Sequence, residues 1–189
     1  DGELALANGL PLLDLSERHL IQKLLETGRC YGEVERFCTA ALLGSDGAAS
    51  ARGAFLTAFA LGLEECCQPY RSRVLQLEQR LLRTELSLPA LQQGFGEFEL
   101  MLPALRQLVA RVEASGLRGT ALVDEVEALA SSCVHSVRGC VRVLLRHTRR
   151  VLLAQLSAWL LHGELAAEDD FFIQRHPHTQ HPLDSDVYR

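Results

Sequence analysis

Apolar residues recur along most of the chain at intervals of three and four, the spacing of a helix with one buried face. The first such pattern predicts a helix over residues 14–26, where Asp14 and Glu17 have the spacing of a capping box. Gly28 is the expected left-handed end of that helix. A second helix is predicted over residues 31–43, so the sequence indicates two consecutive helices before the first clear loop, residues 44–50.

A long helical pattern then spans residues 51–82. Pro69 lies inside it, and because proline removes a backbone donor and clashes with the preceding turn, a kink or break is expected at that point. Ser87 is the expected N-cap of another helix, which reaches about residue 113. Three residues weaken this helix and leave its stability to tertiary packing: Gly94, Gly96 and Pro103.

The last predicted helix follows a turn at residues 115–119 and a short helix over residues 120–131, and it spans residues 134–162. In its first half, arginines occupy one side of the helix at every fourth position. In its second half, leucines occupy that same side. These positions are Arg138, Arg142, Arg146 and Arg150, then Leu153, Leu156 and Leu160. The first half is therefore predicted to be amphipathic and the second half to be buried all round, with Gly163 as its end.

These elements predict an all-α, elongated bundle of about six helices. The bundle is assigned to residues 1–173, and residues 174–189, which are rich in proline and histidine, to a loop or disordered tail. The chain has 189 residues, 48% of them apolar, which is enough for a real core. Aromatic residues make up 6%, which is few for a β-rich protein.

Charge and cysteine content narrow the function classes. The net charge of −5 argues against a nucleic-acid partner, because nucleic-acid affinity comes mainly from neutralising phosphates. No uncharged apolar run approaches the ~18 residues of a membrane helix, so no membrane partner is expected. The six cysteines are expected to be buried free thiols rather than disulfides. A chain of this size does not need disulfide bonds for stability, and free cysteine behaves as a small hydrophobe.

Candidate catalytic chemistry is sparse. His176, His178 and His181 could suggest a metal site, but they lie in a tail without a rigid scaffold, and a solvated tail is the preferred interpretation. Cys133 and Cys140 share one side of the last helix, which suits core packing as well as ligation. No nucleophile, phosphate-binding or metalloprotease motif is present, so we expect a protein that is not an enzyme and needs no cofactor.

The arginine positions allow two interpretations. The first, which the sequence favours, is a solvated helix face paired with carboxylates of the preceding helix: Asp124, Glu125 and Glu127. The second is a docking surface for an acidic neighbour, formed by Arg138, Arg142 and Arg146.

Three stretches, taken in order, resemble one known family: residues 58–71 (AFALGLEECCQPYR), residues 117–122 (LRGTAL) and residues 155–173 (QLSAWLLHGELAAEDDFFI). They are similar to the N-terminal part of the gamma-tubulin complex component (grip-motif) family. The positions that carry the resemblance are expected to be structural rather than binding residues: Pro69, Gly119, Trp159, Gly163, Phe171 and Phe172. Trp159 is expected to pack at the end of a buried helix, with the two phenylalanines folded back onto the core. Thr120 stands where the family usually has glycine.

The resemblance implies a non-catalytic structural subunit of the gamma-tubulin ring complex. In this family the N-terminal half packs laterally against neighbouring components, and a C-terminal half, which this chain does not resemble, binds gamma-tubulin. The implied role is templating microtubule nucleation in the cytoplasm, at the cytoskeleton and at microtubule-organising centres such as the centrosome or spindle pole. A generic helical adaptor or tethering-complex bundle is the alternative.

Overall fold

A computed structural model describes residues 14–43, 53–83, 87–132, 134–165 and 173. All regular structure in these ranges is α-helical, as the sequence predicts. The helices are α1 (Leu15–Leu43), α2 (Ala54–Arg83), α3 (Leu88–Phe95), α4 (Phe98–Ser115), α5 (Gly119–Ser132) and α6 (His135–His162). Three of them have 28 to 30 residues, so each is about 45 Å long. No helix within the described ranges combines the length and apolar character needed to span a bilayer.

One continuous core joins five of the six helices. Its largest fully buried side chains come from α1, α2, α4, α5 and α6, whereas α3 contributes only the partly buried Phe95. The largest members of that core are Phe55, Phe59, Leu63, Leu102, Leu105, Leu108, Leu122 and Leu144. The predicted apolar faces of α4 and of the first half of α6 are therefore the faces that pack.

Helix α1 is one helix where two were predicted. Glu17 accepts a hydrogen bond from the backbone N–H of Asp14 at 3.1 Å, so the predicted capping-box contact is present. Gly28, however, does not end the helix. Thr27 and Cys30 are buried on either side of it, and their packing outweighs the cost of about 1 kcal/mol that glycine brings to a helix interior. The Gly28 prediction was wrong because tertiary burial, not local propensity, decides this position.

The helix predicted from Ser87 to about residue 113 is in fact two helices. It is interrupted at Gly96 and Glu97, between α3 and α4. The glycine at position 94 faces α2, where an added Cβ would lie 2.9 Å from Leu77 Cδ1. The separate α3 segment thus approaches α2 closely at that point. Pro103 causes no interruption and lies inside α4.

Pro69 lies within the continuous helix α2, so the predicted break does not occur. The guanidinium of Arg71 donates hydrogen bonds to the Glu64 carbonyl oxygen at 3.1 Å and to the Glu64 carboxylate at 2.6 Å, on the turn before the proline. The next residue, Tyr70, is buried and its ring contacts those of three other helices. The ring centroids lie 4.8 Å from Tyr31, 5.6 Å from Phe95 and 5.3 Å from Phe98. Tertiary packing around Tyr70 holds this part of α2 helical despite the proline.

Helices α2 and α6 run antiparallel and approach most closely at Gly62. A Cβ at this position would lie 3.0 Å from Leu144 Cδ2 and 3.4 Å from Leu144 Cα. Leu144 is fully buried and therefore has little room to move. Only glycine lets the two backbones come this close without displacing Leu144.

We predict that Gly62→Ala destabilises the protein by about 1–3 kcal/mol, because the added methyl group overpacks the contact with Leu144. Gly139→Ala is the matched control. It also replaces a helical glycine, but no atom lies within 4 Å of the added Cβ, so it should stabilise by about 0.5–1 kcal/mol. Chemical denaturation of the three proteins measures both effects, and equal stabilities for the two variants would contradict the proposed contact.

Candidate functional site

The arginine side of α6 lies opposite its core-facing side. Val137, Val141 and Leu144 are buried against the bundle, whereas Arg138 and Arg142 are exposed. The predicted amphipathic character of the first half of α6 is therefore present. This arrangement follows from the four-residue spacing of the arginines, which keeps them on one side of a helix of 3.6 residues per turn.

Arg146 is held by a carboxylate of α2. Its Nη2 lies 2.5 Å from Glu65 Oε1, and Nε2 of the neighbouring His147 lies 2.8 Å from Glu65 Oε2. The hydrogen bonds from Arg146 and then His147 keep the pKa of the Glu65 carboxyl below its ordinary value of 4.5. Arg146 remains largely exposed, so this pair orients the side chain more than it stabilises the fold.

Arg149 is held in the same way by α5. Its Nη2 and Nε donate to Glu127 Oε1 at 2.7 and 3.1 Å. Of the three carboxylates that the sequence offered as partners, Glu127 pairs with α6, whereas Glu125 pairs with Arg111 of α4 at 2.6 Å. The interpretation as a paired, solvated face thus describes part of this surface.

Arg138 and Arg142 differ from Arg146 and Arg149. Neither has a carboxylate at ion-pair distance among the residues that the structure describes. Arg142 also borders a shallow groove of about 390 Å³, which Arg146 and Arg149 line together with the apolar side chains of Val143 and Leu145. Cationic groups around an apolar floor suit a partner that presents carboxylates beside an apolar side chain.

The second half of α6 is not buried all round, and that prediction was wrong. Leu153 is 60% exposed and Leu160 is 65% exposed, on the same side of the helix as the arginines. Trp159 is only half-buried and does not belong to the core. We call Arg138, Arg142, Arg146, Leu153 and Leu160 together the α6 surface.

The register of α6 explains part of this exposure. Gly62 lies beside Leu144 and His147, and only eight residues, about 12 Å of helix, separate Gly62 from the start of α2 at Ala54. Helix α2 therefore accompanies α6 only to about residue 155, and the last two turns of α6 extend past it. Leu160, on this part of the helix, has no facing α2 residue to pack against, whereas Leu153 is exposed because it lies on the arginine side of α6, away from the core.

The glycines that carry the resemblance take the backbone roles expected of them. Gly163 ends α6 with φ 66°, and the N–H of Gly163 and of Glu164 bond back to the Trp159 and Ala158 carbonyls at 2.9 and 3.4 Å. Gly119 begins α5 with φ 58°. Phe171 and Phe172 lie outside the described residues, as do the three tail histidines and Cys133.

The described residues contain no group of three or more histidine, cysteine or acidic side chains placed to hold a metal ion. His147 is engaged with Glu65. The partners Glu65 and Tyr70 were missed by sequence reasoning, because an ion pair between positions 65 and 146 and a ring cluster from four helices leave no local pattern.

Comparison with known proteins gives the family. The family model described as "Gamma tubulin complex component N-terminal" matches residues 4–188. Gamma-tubulin complex component 4 of Mus musculus is 28% identical over 92% of this chain, and that of Arabidopsis thaliana is 28% identical over 90%. The component 4 homolog of Medicago truncatula is 29% identical over 90%. The chain spans about a quarter of the length of these relatives. These three relatives are all component 4 proteins, in agreement with the resemblance of the residue pattern to component four.

We predict that Glu65→Gln makes stability less dependent on pH in the acidic range. A carboxyl whose pKa is lowered by folding stabilises the native state above its unfolded value near 4.5, and this contribution is lost as the pH falls through the lowered value. Melting temperatures measured from neutral pH to about pH 3 should therefore fall less steeply for the variant than for the wild type.

Glu78→Gln is the matched control for this experiment, because Glu78 is an exposed carboxylate of α2 with no ion pair among the described residues. Its profile should parallel that of the wild type. A wild-type-like profile for Glu65→Gln would show that Arg146 and His147 do not hold the carboxylate in solution.

Proposed function

The chain belongs to the gamma tubulin complex component N-terminal family, and we propose from this premise that it is a non-catalytic structural subunit of a gamma-tubulin complex. In this proposal its helical bundle packs laterally against neighbouring components, and the assembly templates microtubule nucleation. The matching relatives are named gamma-tubulin complex component 4, which supports a role as a subunit of such a complex. The sites of action would be the cytoplasm, the cytoskeleton and microtubule-organising centres.

The observation that carries the proposal is the exposure of the α6 surface. Leu153 and Leu160 are 60% and 65% exposed and lie in line with Arg138 and Arg142, which have no ion pair among the described residues. Arginine is enriched in interfaces between proteins, whereas lysine is depleted. The partner that fits is a helical surface with carboxylates opposite Arg138 and Arg142 and apolar side chains opposite Leu153 and Leu160.

Gamma-tubulin itself is proposed to bind elsewhere. The family resemblance assigns that contact to a C-terminal half, and this chain covers only about a quarter of the length of its relatives. A generic adaptor or tethering bundle is a weaker candidate, because the family match extends over residues 4–188 rather than over one helical motif. Neither nucleic acid nor a membrane is part of the proposal.

The first test is charge reversal at Arg142. We predict that Arg142→Glu weakens association with neighbouring gamma-tubulin complex components at least several-fold in a pull-down at near-physiological salt, with an unchanged melting temperature, because this exposed side chain has no described ion pair. Arg36→Glu is the control, since Arg36 is an equally charged, exposed residue of α1, a helix that packs mainly on α2 and α4. Equal binding by the two variants, or no association of the wild type, would contradict the proposal.

The second test addresses the apolar end of the α6 surface. Leu160→Ser should reduce association but change stability by less than about 0.5 kcal/mol, because the leucine is already 65% exposed. Leu15→Ser is the matched control, at an 83% exposed position at the start of α1. A large loss of stability for Leu160→Ser would indicate that the bundle itself covers this residue.

A further inference from the structure

Two cysteines face each other at the closest approach of α2 and α6. Cys66 lies one turn after Gly62, and Cys140 lies one turn before Leu144, the residue that Gly62 accommodates. The Cys66 thiol donates a hydrogen bond to the Cys140 carbonyl oxygen at 3.5 Å, so the Cys66 sulfur lies against residue 140. The short distance between the helices thus brings together two sulfur atoms that are 74 positions apart in sequence.

The two thiols have different access to solvent. Cys66 is 4% exposed, whereas Cys140 is half-buried. The interaction with Cys140, together with burial, raises the pKa of Cys66, whereas the interaction with Cys66 lowers the pKa of Cys140. Cys140 is therefore the member of the pair that reagents reach first and that more readily forms the thiolate, which is the reactive species.

The other described thiols lack this combination. Cys67 is 3% exposed, and burial raises its pKa to about 12. Cys38 is 1% exposed and donates to the Ala60 carbonyl at 3.6 Å. Cys30 is fully buried as well. Burial away from solvent makes these three thiols inert compared with Cys140.

We propose that Cys66 and Cys140 are an oxidisable pair, which closes to a disulfide between α2 and α6 in the presence of a peroxide. In the first step the Cys140 thiolate attacks one oxygen of hydrogen peroxide, the O–O bond breaks, and Cys140 becomes a sulfenic acid as hydroxide leaves. In the second step the Cys66 sulfur attacks the Cys140 sulfur, the S–S bond forms and the S–O bond breaks. The Cys66 proton leaves with the departing oxygen as water, and the hydroxide of the first step takes up the proton that Cys140 had released. The two sulfurs are oxidised, and the peroxide is reduced to two waters.

The disulfide would fasten the two helices next to the Glu65 pairs with Arg146 and His147. It would also restrict the unfolded chain, since it joins positions 74 residues apart. A disulfide between residues 66 and 140 would hold α6, and with it the α6 surface, in a fixed position on α2. This device is separate from the proposed association with other components and does not depend on it.

The test uses the whole chain. Reduced protein is treated with hydrogen peroxide, remaining thiols are alkylated, and the mass is measured under denaturing conditions. The expected product is a monomer with two fewer alkylated cysteines than the six of the reduced chain, a higher melting temperature and full reversal by dithiothreitol. Tryptic digestion should then link the fragment of residues 139–142, which contains Cys140, to the fragment of residues 53–71.

Because the fragment of residues 53–71 contains both Cys66 and Cys67, two matched variants assign the bond. Cys67→Ala should keep the cross-link, and Cys66→Ala should lose it, with far-UV circular dichroism as the check of folding. The wild-type digest tests the proposal even if a variant fails to fold. Oxidation without this cross-link, a disulfide between two chains, or a cross-link retained in Cys66→Ala would each overturn the proposal.

Discussion

Helix α6 packs against α2 at a distance that the missing side chain of Gly62 permits. Leu144 occupies the space beside that glycine, and its burial sets the antiparallel register of α2 and α6. A well-packed core resists even small changes of volume, so this contact cannot slide without leaving a void or a clash. The positions of the charges, the thiols and the exposed leucines of α6 all follow from this register.

The same register divides α6 into a part that packs on α2 and a part that extends beyond it. Beside α2, the helix is fastened by buried apolar residues and by the pairs that Glu65 makes with Arg146 and His147. Beyond the start of α2, the helix continues with leucines that the bundle does not cover. One helix is therefore both a core element and the carrier of the exposed surface on which we propose that a partner binds.

Some of the residues that resemble the gamma-tubulin complex component family lie at helix ends or beside buried rings. Gly119 and Gly163 take left-handed backbone conformations at helix ends, and Tyr70, which follows Pro69, contacts rings from α1, α3 and α4. Such residues identify a family because they hold its fold together. The candidate interaction residues are less distinctive, since arginine is common throughout the chain.

Periodicity and local backbone chemistry are enough to predict the all-α class, the capping contact at Asp14 and Glu17, the helices α5 and α6 with their glycine ends, and the side of α6 that packs. Whether a glycine or proline interrupts a helix depends instead on tertiary packing. Burial keeps α1 helical at Gly28 and α2 helical at Pro69, whereas the helix is interrupted at Gly96. Tertiary contacts also determine which arginines are paired and how far α2 extends along α6, and two of the leucines predicted to be buried, Leu153 and Leu160, are exposed. These outcomes depend on contacts between positions up to 82 residues apart. No local pattern in the chain encodes the register in which two helices far apart in sequence pack together.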